Sequence, residues 1–71
     1  MQKWEYLWVE FSEYKKILRP KLINEVEVKD WKTGPYMMDY INRLGGEGWE
    51  LISFDLHTRV WAEAIFKRPN E

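Results

Sequence analysis

The sequence predicts an α+β domain, with one short helix packed on a small, mainly antiparallel sheet of three to four strands in the order β-β-α-β-β. Three observations point there. Runs near both ends alternate with a period of two and are rich in aromatic and β-branched residues, as strands are. One central stretch instead carries apolar residues at helical spacing. The chain has 71 residues, which suits a single domain over 1–71.

Residues 3–11, Lys-Trp-Glu-Tyr-Leu-Trp-Val-Glu-Phe, form the first predicted strand. Trp4, Tyr6 and Trp8 share one face; Glu5, Leu7, Val9 and Phe11 share the other. Both faces are largely apolar, more than a sheet covered on one side needs. Residues 12–22 read as an irregular connection or a frayed helical turn, because Pro20 stops a helix and holds Arg19 extended. A second strand is expected over 23–31. There Val26 and Val28 alternate with Glu25, Glu27 and Lys29, and the charges suit a sheet edge.

Lys32-Thr33-Gly34-Pro35 then turns into a helix over 36–44, with Thr33 or Gly34 as the cap and Pro35 fitting the first helical position. Its apolar stripe is Met37, Met38, Tyr40, Ile41 and Leu44. Gly45 is the expected left-handed stop. A strand over 48–56 follows, with Trp49, Leu51 and Ser53 opposite Glu50, Ile52, Phe54 and Leu56. His57-Thr58 is the expected turn into the last strand, 59–68. Its Trp61, Glu63 and Ile65 oppose Val60, Ala62, Ala64 and Phe66. So short a link makes the last two strands a hairpin.

The apolar surface does not balance. Four eight-residue strands present a face of about 500 Å², whereas a nine-residue helix covers only about 150 Å². Uncovered apolar surface of that size implies association, and a two-fold homodimer is the commonest closed form. The residues expected to carry it are Leu7, Val9, Phe11, Ile52, Phe54 and Phe66.

Composition narrows the function classes. Twelve acids against eleven bases give a net charge of −1, which disfavours broad electrostatic binding to nucleic acid or anionic lipid. With no Cys there is no disulfide, thiolate zinc site or thiol nucleophile, and the chain suits a reducing cytoplasm. No apolar run approaches the ~20 residues of a membrane helix. Met1 to Glu5 lead straight into a strand pattern rather than a signal peptide.

The candidate sites are few. Gly45-Gly46-Glu47-Gly48 resembles a phosphate loop in composition, but it follows a helix instead of preceding one, so it reads as a helix stop. Lys15, Lys16, Arg19 and Lys21 form a basic cluster: a solvated connection, or alternatively an anion or nucleic-acid contact. The Trp4-Tyr6-Trp8 ladder suits a core or interface face better than base stacking. His57 is the only histidine; Asp55 shares its strand face if the strand runs that far, where a carboxylate can orient an imidazole, and Arg59 and Glu63 are near. One His without Cys argues against zinc, and no activated Ser or Thr supports a triad. His57 therefore reads as a turn residue; the alternative is a small-ligand-binding or enzymatic dimer with a pocket at the subunit interface near His57, Arg59 and Glu63. No catalytic, cofactor-binding or metal-binding set is expected.

Three segments together resemble a family of small, mostly bacterial proteins, the domain-of-unknown-function family numbered 4177. They are Lys3-Trp4-Glu5-Tyr6, Leu44-Gly45-Gly46-Glu47-Gly48-Trp49-Glu50-Leu51 and Ile65-Phe66-Lys67-Arg68-Pro69. Residues 12–33 depart from the family's shorter connection. The resemblance implies a compact α+β domain and supplies no catalytic residue. Its central motif makes a structural corner of Gly45, Gly48, Trp49 and Leu51, in which Trp49 and Leu51 pack beneath Met37, Ile41 and Leu44. The expected role is a small non-enzymatic interaction or structural domain that self-associates.

Overall fold

The computed structural model describes residues 1–70. Five strands form one antiparallel sheet: β1 (Trp4–Tyr14), β2 (Ile17–Ile23), β3 (Val26–Glu27), β4 (Glu50–Thr58) and β5 (Trp61–Pro69). Their spatial order is β3-β2-β1-β5-β4. A single 3-10 turn, Trp31–Thr33, and helix α1, Met37–Gly46, lie between β3 and β4. The α+β class and the final hairpin follow the sequence reading. The strand count does not, and the difference lies in residues 12–31.

The expected loop at 12–22 is a β-hairpin. β1 continues to Tyr14, reverses over Lys15-Lys16, and returns as β2. Both turn residues have positive φ, 53° and 68°, the backbone that a tight two-residue hairpin requires. Asn24-Glu25 repeats the device between β2 and β3, with φ of 49° and 71°. Pro20 is tolerated because it pairs with Phe11 where the register shifts between Glu10 and Phe11. The expected second strand, 23–31, shrinks to the two residues of β3; Trp31 starts the 3-10 turn instead.

One face of the sheet carries the core. The β1–β5 register sets Leu7 against Phe66, Val9 against Ala64 and Phe11 against Ala62. α1 packs on this face, and its Tyr40 and Leu44 join Val9, Phe11, Ala62, Ala64 and Phe66 in one buried cluster. The Phe11 and Tyr40 rings meet edge to face at 6.4 Å. Leu18, Ile23, Met37, Ile41 and Trp49 close the rim. Burial pushes the Tyr40 phenol above its usual pKa, while the neighbouring Arg43 pulls it down less strongly.

The helix boundaries also differ in their chemistry. Tyr36 is the N-cap and makes no side-chain cap bond, whereas Thr33 turns its hydroxyl to the Asp30 carbonyl. Gly45 and Gly46 are helical, so neither is the left-handed stop. That conformation falls to Gly48, with φ of +95°. The Gly48 N–H donates to the Gly45 carbonyl and the Trp49 N–H to the Leu44 carbonyl, closing the helix end. Trp49 packs at the core rim as expected, with the Arg68 guanidinium over its ring at 4.2 Å. Leu51 does not tuck beneath the helix and stays 43% exposed.

Candidate functional site

β4 is the element that the fold leaves bare. It lies at the sheet edge, and all nine of its residues are exposed. Strict alternation would separate Leu51 from Phe54 and Leu56. A bulge between Leu51 and Ser53 corrects the phase, so Leu51, Phe54 and Leu56 pair with Phe66, Ala64 and Ala62 on the core side. There α1 leaves them largely uncovered. With Val60 they leave an apolar strip of which 40–60% of each residue is exposed. It runs into a shallow groove lined by Glu13, Lys16, Leu18, Leu56, Arg59 and Val60.

The expected self-association residues divide sharply. Val9, Phe11 and Phe66 are at most 1% exposed, and Leu7 packs beside them, so their surface is consumed in this chain's own core. Ile52 and Phe54 remain available. Leu51, Leu56 and Val60 were missed as members of the strip. A bulge and a helix position are invisible to a period-two reading.

The opposite face carries polar chemistry. Asp55 and Glu63 are direct partners across β4 and β5. A second bulge, between Leu56 and Thr58, leaves His57 outside the ladder, on the face that alternation already has it share with Asp55. His57 is thus a strand residue, not a turn residue; the turn is Arg59-Val60. Its ring stacks on Trp61 with centroids 4.0 Å apart and planes 21° apart. His57 Nε2 lies 2.9 Å from Glu63 Oε1, and the Trp8 indole N–H donates to Glu63 Oε2, also at 2.9 Å. These two bonds, the imidazole's first, hold the Glu63 carboxyl below the usual carboxylate range. Arg59 does not join this group, because it lines the groove on the core side.

The basic cluster is dispersed. Lys15 and Lys16 form the β1–β2 turn. Lys15 sits over the Tyr14 ring and Lys21 over Trp31. Arg19 donates to the Gly34 carbonyl and lies over Tyr36, tying β2 to the segment that leads into α1. Three of the four cations are therefore engaged with rings of their own chain.

Fold and sites define a small antiparallel α+β sheet domain with one face partly covered by a helix and one face open. Comparison with protein-family models, curated proteins and solved structures finds no match to this chain. Among the described residues, no helix is long and apolar enough to cross a membrane.

Proposed function

We propose that this chain is a small non-enzymatic interaction domain whose first partner is a second copy of itself, docked along β4. The observation that carries the reading is the bare edge strand, nine residues long, with Phe54, Leu56 and Val60 uncovered beside it. Long exposed edges with apolar side chains are templates for pairing with another chain. The other edge, β3, is only two residues long and offers no such template. Two bulges confine regular pairing on β4 to Ser53–Leu56, and a two-fold axis there joins two sheets in antiparallel register. The surface area agrees. The chain exposes 5177 Å², where a compact monomer of its mass exposes about 4,800 Å².

The resemblance to the domain-of-unknown-function family numbered 4177 rests on the corner from Leu44 to Leu51, and kinship with that family belongs to the same proposal. A cytoplasmic setting is consistent with the chain's lack of Cys. Sedimentation equilibrium tests the central point. The expected result is a reversible monomer–dimer equilibrium at micromolar concentrations. A single species of 8.8 kDa at tens of micromolar overturns it.

A further inference from the structure

The open face holds a row of like charges in which, among the described residues, only Glu63 has an ion-pair partner. Glu63 faces Glu10 across β1–β5 and Asp55 across β4–β5, so three carboxylates stand abreast on adjacent strands. Like charges placed directly opposite destabilise a sheet. Among the described residues, the ion pairs are Arg43–Glu47, His57–Glu63 and Arg68–Glu5, so neither Glu10 nor Asp55 has a cation within ion-pair distance. The one basic group on the row is the His57 imidazole.

Three of these groups converge. One ligand atom from each of Asp55, His57 and Glu63 lies within 4.8 Å of the other two. Around an ion bonded at about 2.1 Å, neighbouring ligand atoms sit about 3.0 Å apart in octahedral geometry and about 3.4 Å apart in tetrahedral geometry. The His57 Nε2 to Glu63 Oε1 separation of 2.9 Å is close to the first. Two of the ligands are also fixed from outside. The Trp8 N–H holds Oε2 of Glu63 and leaves Oε1 toward His57; the Trp61 ring fixes the imidazole plane.

We propose that Asp55, His57 and Glu63 bind one divalent transition-metal ion of the zinc type on the open face, with Glu10 adding negative charge beside it. The imidazole selects such ions over calcium and magnesium, which favour all-oxygen sites. Binding takes the Nε2 lone pair of the neutral imidazole, whose one proton then sits on Nδ1. Three protein ligands leave positions for water. The site lies on the opposite face from the β4 apolar strip and does not depend on self-association.

The test uses the full, tag-free chain, stripped of metal with a chelator. Zinc is titrated by calorimetry, and nickel by quenching of tryptophan fluorescence. Trp8 and Trp61 touch two of the ligands and act as built-in reporters. The expected result is one ion per chain, with saturable heat and saturable quenching, and no response to magnesium at equal concentration. His57→Gln and Glu63→Gln each weaken binding at least tenfold with the circular dichroism spectrum unchanged. Trp8→Phe, which keeps the ring and loses the N–H, weakens it less. Absence of saturable binding up to about 1 mM metal, or binding by His57→Gln equal to that of the unaltered chain, overturns the proposal.

Discussion

The apolar strip beside β4 gives a quantitative prediction for dimer strength. The perturbation is the double variant Phe54→Thr/Leu56→Thr, which removes apolar surface and keeps residues that favour strands. Phe54 exposes 40% of its surface and Leu56 60%, together the equivalent of one whole side chain. Full burial of such a side chain contributes about 1.5–3 kcal/mol. Covered in both copies of a two-fold pair, the loss is about 3–6 kcal/mol. At about 1.4 kcal/mol per tenfold, the dimer dissociation constant rises by about two to four orders of magnitude. Sedimentation equilibrium across a wide concentration range reads that constant. Thermal melts at dilutions where both proteins are monomeric separate association from folding. A variant that dimerises as tightly as the unaltered chain refutes the reasoning, because the strip then contributes nothing to the contact.

Four further predictions concern the core, the glycines, the pH response and the open face. Phe11 is fully buried against Tyr40, so Phe11→Ala costs about 3–5 kcal/mol, most of the stability of so small a domain; its circular dichroism at 25 °C should be that of a largely unfolded chain, while Phe11→Leu still melts cooperatively. Gly45 and Gly48 should respond in opposite directions: Gly45→Ala lies in the helix with open space around it and raises stability by about 0.5–1 kcal/mol, whereas Gly48→Ala meets no atom yet strains a backbone at φ +95°, and lowers stability by about 1–2 kcal/mol. Urea denaturation resolves both. Because burial raises the Tyr40 pKa, the unfolded chain loses that proton first; stability is fully present below pH 10 and falls as pH rises beyond it, and Tyr40→Phe should flatten that fall in alkaline urea melts. On the open face, zinc should raise the melting temperature of the unaltered chain and leave that of His57→Gln unmoved, since a ligand bound only to the folded state stabilises it.

The sequence alone determined which side chains share a face wherever pairing is regular. In β1 and β5, period-two alternation separated Val9, Phe11, Ala62, Ala64 and Phe66 from Trp4, Tyr6 and Trp61, and the structure keeps that division. It also located the helix, because Tyr40, Ile41 and Leu44 repeat at its spacing, and the hairpin of the last two strands. These features are local: the backbone's own geometry sets the direction of neighbouring side chains. Register and layer are not local. Lys15-Lys16 carries no Gly or Asn to announce a tight turn, so the β1–β2 hairpin was hidden until pairing formed it. The two bulges on β4 depend on fitting β5. The first puts Leu51 on the side of Phe54 and Leu56, and pairing with β5 sets Asp55 and His57 against Glu63 on the other. The surplus of apolar surface was legible as a mismatch between a short helix and a broad sheet. Only the tertiary structure decided that β4 is the strand left uncovered, because where a ten-residue helix comes to rest depends on its packing against strands distant in sequence.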